Sequence, residues 1–165
     1  MSDFIRKSIG RAVTAIQRLF VTEPVRAKDS KLNDAARAGD KDLCAQLISE
    51  GYGVNHVAGD NNNTPLHEAA LSGGYDVCEY LLNKGAALEI KDMIGFTALV
   101  AASQQGHTEV VRLLLRRGAN TAATTRWGAA AIHMAAQFNR EPVVRILVTE
   151  GRVDPNQVRL LNKYI

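Results

Sequence analysis

The sequence predicts a mainly α fold built as an array of repeated units, and three observations carry that prediction. The stretch "NTPLHEAALSGG", residues 63 to 74, reads as a helix of about two turns. Pro65 suits the first helical turn, where its missing N–H costs nothing, Thr64 can cap the amides in front of it, and the Gly73-Gly74 step stops the helix. A helix this short is marginal alone in water, so its neighbours must hold it. The segment then recurs. Moved by 33 residues, Thr64-Pro65-Leu66 meets Thr97-Ala98-Leu99, and moved again it meets Ala130-Ala131-Ile132. The register persists through Ala69, Ala102 and Ala135, through Leu81, Leu114 and Leu147, and through Gly85, Gly118 and Gly151. A 34-residue step finds an earlier copy without its beginning, in which Leu32, Ala35, Ala36, Gly39, Leu47 and Gly51 match Leu66, Ala69, Ala70, Gly73, Leu81 and Gly85. Fixed-period self-similarity of this length is the signature of a stacked repeat architecture.

The residues "TPLHEAALSGGYDVCEYLLNKGA" resemble the ankyrin repeat family, whose pattern is T-P-L-H-x-A-A-x-x-G-x-x-x-V-x-x-L-L-x-x-G-A. The resemblance spans residues 30–156 and implies an ankyrin-repeat solenoid: helix, tight turn, second helix, and a β-hairpin finger leading to the next copy. Short helices then hold one another in a one-dimensional stack.

In chain order, residues 1–29 come first. In "SDFIRKSIGRAVTAIQRLF", Ile5, Ile9, Val13, Ile16 and Phe20 fall on one narrow stripe at about 100° per residue, with Arg6, Lys7, Arg11 and Arg18 off it. This is a basic amphipathic helix ending before Pro24. Three readings stay open: a cap on the end of the first repeat, a helix lying on a membrane surface or a partner, and an organelle-targeting segment. The first repeat runs over 30–56, lacks a finger, and takes Ser30 as its helix cap. The second runs over 57–90, and its finger "GDNNN" carries one extra residue and is expected to be the loosest. Asn62 stands at its tip where Gly95 and Gly128 stand in the next two, and Asn tolerates left-handed backbone better than most residues. The third repeat, 91–123, has Val100 in place of the His67 and His133 of its neighbours. The fourth, 124–156, has lost Thr and Pro, so its first helix should start less firmly. Residues 157–165 form a tail or partial capping helix.

Composition narrows the function. The chain has 165 residues, 46% apolar but only 5% aromatic, so its core must be Ala, Leu, Val and Ile. No apolar run approaches the ~20 residues of a membrane span, and no stretch resembles a cleavable secretory signal. A cytoplasmic location is expected, with nucleus or organelle as alternatives. The net charge of +3 is uneven: residues 1–31 hold seven Lys and Arg against three acids, and the remainder holds thirteen against fourteen. Cys44 and Cys78 occupy the same helix position one repeat apart, too far for a disulfide at ordinary helix spacing, and read as buried thiols. His67 and His133 sit at the histidine of the family pattern, where the resemblance implies hydrogen bonding within and between repeats. His107 lies at the step between helices, and His56 on a finger. No phosphate loop, catalytic triad or metal-ligand cluster occurs, so no enzyme, cofactor or metal is expected.

The resemblance places partner binding on the concave surface, made of finger tips and first helices. The variable positions there are Met93, Ile94 and Phe96 on one finger, Arg126 and Trp127 on the next, and Leu71, Gln104, Gln105, Gln137 and Phe138 on first helices. Together they would form a contiguous apolar and aromatic stripe, which marks a binding site. A basic ridge of Arg112, Arg116, Arg117 and Arg145 on the second helices reads as a solvated face, and no nucleic acid is expected because aromatics do not interleave it. The expected function is a monomeric, non-enzymatic adaptor or scaffold that binds another protein. The alternative is a peripheral membrane tether, in which the basic helix docks on anionic lipid through Ile5, Ile9, Val13, Ile16 and Phe20 and the repeats recruit a partner.

Overall fold

A computed structural model describes residues 30–154. The amphipathic helix expected before Ser30 and the tail or capping helix expected over 157–165 lie outside the described residues. Eight helices follow in four pairs: α1 (Lys31–Ala38) with α2 (Lys41–Ser49), α3 (Pro65–Ser72) with α4 (Tyr75–Asn83), α5 (Ala98–Gln105) with α6 (Thr108–Arg116), and α7 (Ala131–Gln137) with α8 (Glu141–Thr149). The first helices α1, α3, α5 and α7 pack side by side in one row, and the second helices form a row behind them. Each row buries the same positions repeat after repeat. Leu32, Leu66, Leu99 and Ile132 are all at most 1% exposed, as are Leu81, Leu114 and Leu147. Alanines at the equivalent positions 35, 69, 102 and 135 let the first helices approach closely and are at most 3% exposed.

Helix starts show how each copy departs from the pattern. Thr64 Oγ1 accepts from the His67 N–H at 3.3 Å, while His67 Nδ1 accepts from the Thr64 N–H at 3.2 Å, so two otherwise orphaned amides are satisfied together. Thr97 keeps only its own half, a 3.5 Å contact with the Val100 N–H. Ala130 has no side-chain acceptor, and only His133 Nδ1 remains, accepting from the Ala130 N–H at 2.9 Å. Helix α7 still starts at Ala131, the position of Pro65 and Ala98, and has seven residues where α3 and α5 have eight because it ends one position earlier, at Gln137, with Phe138 as its C-cap where the others have Gly73 and Gly106. Ser30 does precede α1, but it does not cap it. Its hydroxyl donates to Asp34 Oδ2 at 2.7 Å, and its oxygen accepts no backbone N–H of the helix.

The fingers are tighter than the expected β-hairpins. No strand occurs among the described residues; there are isolated bridges between Ala58 and Asn63 and between Thr124 and Ala130. Each arm of a finger is too short for a ladder to extend past one bridge. On the second helices, the basic ridge is largely tied up in ion pairs. Arg112 Nε donates to Glu150 at 2.9 Å and Arg117 lies 3.9 Å from Glu79, both across a repeat boundary, while Arg145 pairs with Glu141 at 2.7 Å. Arg116 donates to the Tyr75 hydroxyl at 3.4 Å.

Candidate protein-binding face

The finger tips are positioned from their bases upward. Each finger takes the number of its repeat, so that the first described one is the second finger. In the third finger, Asp92 Oδ1 accepts from the N–H groups of Ile94 (2.9 Å) and Phe96 (2.7 Å), and the Asp92 N–H donates to the Phe96 carbonyl at 2.9 Å. Thr125 does the same one repeat later: its Oγ1 accepts from Trp127 and Ala129, and its N–H donates to the Ala129 carbonyl at 2.9 Å. The tips are then joined to one another. The Met93 N–H donates to the Asn61 carbonyl at 2.9 Å, and the Arg126 N–H to the Ile94 carbonyl at 3.1 Å.

A second set of bonds ties each finger to the repeat before it. His67 Nε2 lies 2.9 Å from the Phe96 carbonyl oxygen; a carbonyl can only accept, so Nε2 carries the proton and Nδ1 is the acceptor facing Thr64. Burial holds the His67 pKa below its ordinary value, with the Phe96 bond opposing it, so the ring stays neutral and structural. Asn33, which the 34-residue step lays on His67, makes the same bond by other means: its Nδ2 donates to the Asn63 carbonyl at 2.7 Å. Beside it, the buried Glu68 accepts from Arg37 Nε and Asn63 Nδ2, each at 2.8 Å. The base of the Asn-rich finger is thus pinned to the first repeat, although Gly59–Asn62 at its tip is exposed. The sequence reading missed Asn33, Arg37, Asn63 and Glu68 because none of them belongs to the recurring pattern; the step that aligns Asn33 with His67 was the available signal.

Of the expected binding residues, Met93, Ile94 and Trp127 are exposed on the two joined finger tips, Trp127 at 67%, with Arg126 exposed beside it. Phe96 is a correction. It is 5% exposed and belongs to the core. It stands immediately before the Thr97 cap, where an apolar residue turns inward to hold the chain's entry into the helix. The other expected residues form a separate row. Fingers lead into the N-termini of first helices, whereas Leu71, Gln104, Gln105, Gln137 and Phe138 lie at the C-terminal ends, about 12 Å away for an eight-residue helix. Between the rows, α5 is buried from Ala98 to Ser103. The expected single stripe is therefore two rows. Leu71 is half-buried against the core and its carbonyl meets His107 Nε2 at 3.0 Å; the Gln104 carbonyl accepts from Arg140 Nε at the same distance one repeat on. Gln105 and Gln137 are exposed, as is Phe138 at 43%.

Cys44 and Cys78 are free, buried thiols, pushed up by burial to pKa values of about 11 and about 12, which disfavours the thiolate needed for nucleophilic attack. Among the described residues no group of three or more His, Cys, Asp or Glu is placed to hold a metal ion, and no helix is long and apolar enough to cross a membrane.

The model of a family described as ankyrin repeats (3 copies) matches the chain over residues 12–92, 32–125 and 87–159. The chain belongs to the ankyrin repeat family. Ankyrin repeats are in general protein–protein interaction modules and typically not enzymes. No curated protein matches the chain. In this ankyrin-repeat chain the family's histidine bond is kept at His67, replaced by an amide at Asn33, and absent at Val100.

Proposed function

We propose that the chain is a non-enzymatic adaptor whose protein partner docks on the tips of its third and fourth fingers, with Trp127 as the anchor. The observation that carries this is the exposure of Trp127, two-thirds of whose surface is unused by the fold. Met93 and Ile94 lie on the neighbouring tip, which the Arg126–Ile94 bond holds beside it. Large apolar side chains on a backbone already fixed by hydrogen bonds lose little further freedom on binding, so their burial goes into affinity. Arg126 adds a charged donor at the same point, and aromatic residues with arginine are the types most enriched at interface centres. The row of Gln105, Gln137 and Phe138 offers secondary contacts at the far ends of the first helices.

The test is affinity capture from a lysate of the source cells with wild-type chain, Trp127→Ala, and Lys84→Ala as a surface control on another face. A protein retained by wild type and Lys84→Ala and lost with Trp127→Ala supports the reading. A partner held equally by all three shows that another surface binds it.

A further inference from the structure

The first described helix pair leaves a helix-packing surface open. Leu43 on α2 is 39% exposed, whereas Val77, Val110 and Val143, at the same position of α4, α6 and α8, are at most 1% exposed. One turn along, Gln46 is exposed where Leu113 and Ile146 are 2% and 4% exposed. Helices α4, α6 and α8 each pack against the second helix before them, and among the described residues α2 has none before it. Leu43 is thus one half of a contact whose other half is supplied elsewhere in the series.

The sequence before Ser30 carries that other half. "LFVTEP" at 19–24 parallels "ILVTEG" at 146–151, the end of α8 and its following glycine, and Ile16 falls where α8 has Val143. The ankyrin family match itself begins at residue 12, within this segment. Residues 24–30 then remain to reach α1. That is seven residues where the connections into α5 and α7, 84–97 and 117–130, have fourteen each, too few to build a finger. That length accounts for the missing finger of the first repeat. As a helix, the segment would put Arg11 and Arg18 on the side opposite Val13, Ile16 and Phe20. Terminal units of a stack need a polar outer face, which Gln17 and Arg18 can supply.

We propose that residues 12–23 form the second helix of a truncated repeat that docks on α2 and covers Leu43. The occupant is this chain's own segment, and its apolar stripe of Val13, Ile16 and Phe20, once buried there, is withdrawn from any membrane surface.

Hydrogen exchange followed by mass spectrometry on the full chain tests this. Amides of 13–23 should exchange at least about tenfold more slowly than an unstructured segment, the signature of stable local structure. Leu43→Asp should abolish that protection while peptides from 65–149 keep theirs. Because Leu43→Asp could loosen the first repeat by itself, Phe20→Asp is the reciprocal variant: it should speed exchange across 41–49 without touching 98–149. Vesicles of phosphatidylcholine with phosphatidylserine should fail to sediment the wild-type chain. Exchange of 13–23 at the unstructured rate in wild type, unchanged exchange at 41–49 in Phe20→Asp, or vesicle binding by wild type that Phe20→Asp removes would each overturn the proposal.

Discussion

Gly95 sits at φ +85, and a Cβ added there would lie 2.8 Å from the backbone nitrogen of Arg126. Gly128, the same position one finger on, has φ +77 and nothing within 4 Å of an added Cβ. Both substitutions to Ala incur the left-handed penalty of about 1–2 kcal/mol. Only at Gly95 does the new methyl also push on the amide that joins the third and fourth fingers. Gly95→Ala should therefore cost at least about 1 kcal/mol more than Gly128→Ala in urea unfolding, the worth of one such bond; equal costs would mean the fingers yield freely. Asn62, at φ +56, shows the same turn made without glycine. Ser103 gives the opposite case. It is wholly buried with no partner for its hydroxyl, at a position where Ala70 is also wholly buried. Ser103→Ala should leave stability unchanged or raise it by up to about 1 kcal/mol, and a loss larger than that in the same assay would show that the hydroxyl is bonded in solution.

Within the elements, the chain solves one problem in different ways: how a first helix holds the finger of the next repeat. His67 reaches the Phe96 carbonyl, Asn33 reaches the Asn63 carbonyl, and Val100 reaches nothing polar. The histidine solution carries a pH dependence. Its folded pKa lies below the ordinary value of 6.5, so below that pH the unfolded chain binds more protons than the folded one. The stabilisation is complete above 6.5 and is lost as pH falls toward the folded pKa. His67→Asn should keep the donor and remove the titration. The slope of melting temperature against pH below 6.5 should become shallower, and an identical slope in both proteins would assign the acid sensitivity to other groups. The helices themselves were legible in the sequence because Thr64, Pro65 and the recurring glycines are local signals. Asn33 was not, since its role depends on a carbonyl 30 residues away and its residue type differs from the pattern.

At the scale of the whole molecule, a 33-residue period was enough to read the stack, because every repeat buries the same leucines and alanines against its neighbours. The binding face was read less well for a related reason. Periodicity marks which positions vary, but not whether a variable side chain turns outward. Phe96 and Trp127 both lie on fingers, yet Phe96 is 5% exposed and Trp127 is 67% exposed. That difference separates folding from function. Phe96→Ala removes a buried ring at the junction of the third finger and α5, and should cost about 3–5 kcal/mol. In a stack whose units stabilise only their neighbours, that loss should fall on the contacts between the second, third and fourth repeats together. Trp127→Ala removes a side chain that touches little, and should shift stability by no more than about 0.5 kcal/mol. Its effect belongs to affinity: truncating a central aromatic anchor costs about 2 kcal/mol or more, close to a thirtyfold weakening. Urea unfolding of both variants, with titration of the captured partner against wild type and Trp127→Ala, sets the two effects side by side. The finger-tip reading fails if Trp127→Ala destabilises the chain as much as Phe96→Ala does while affinity per folded molecule stays unchanged. The tryptophan would then be serving the stack.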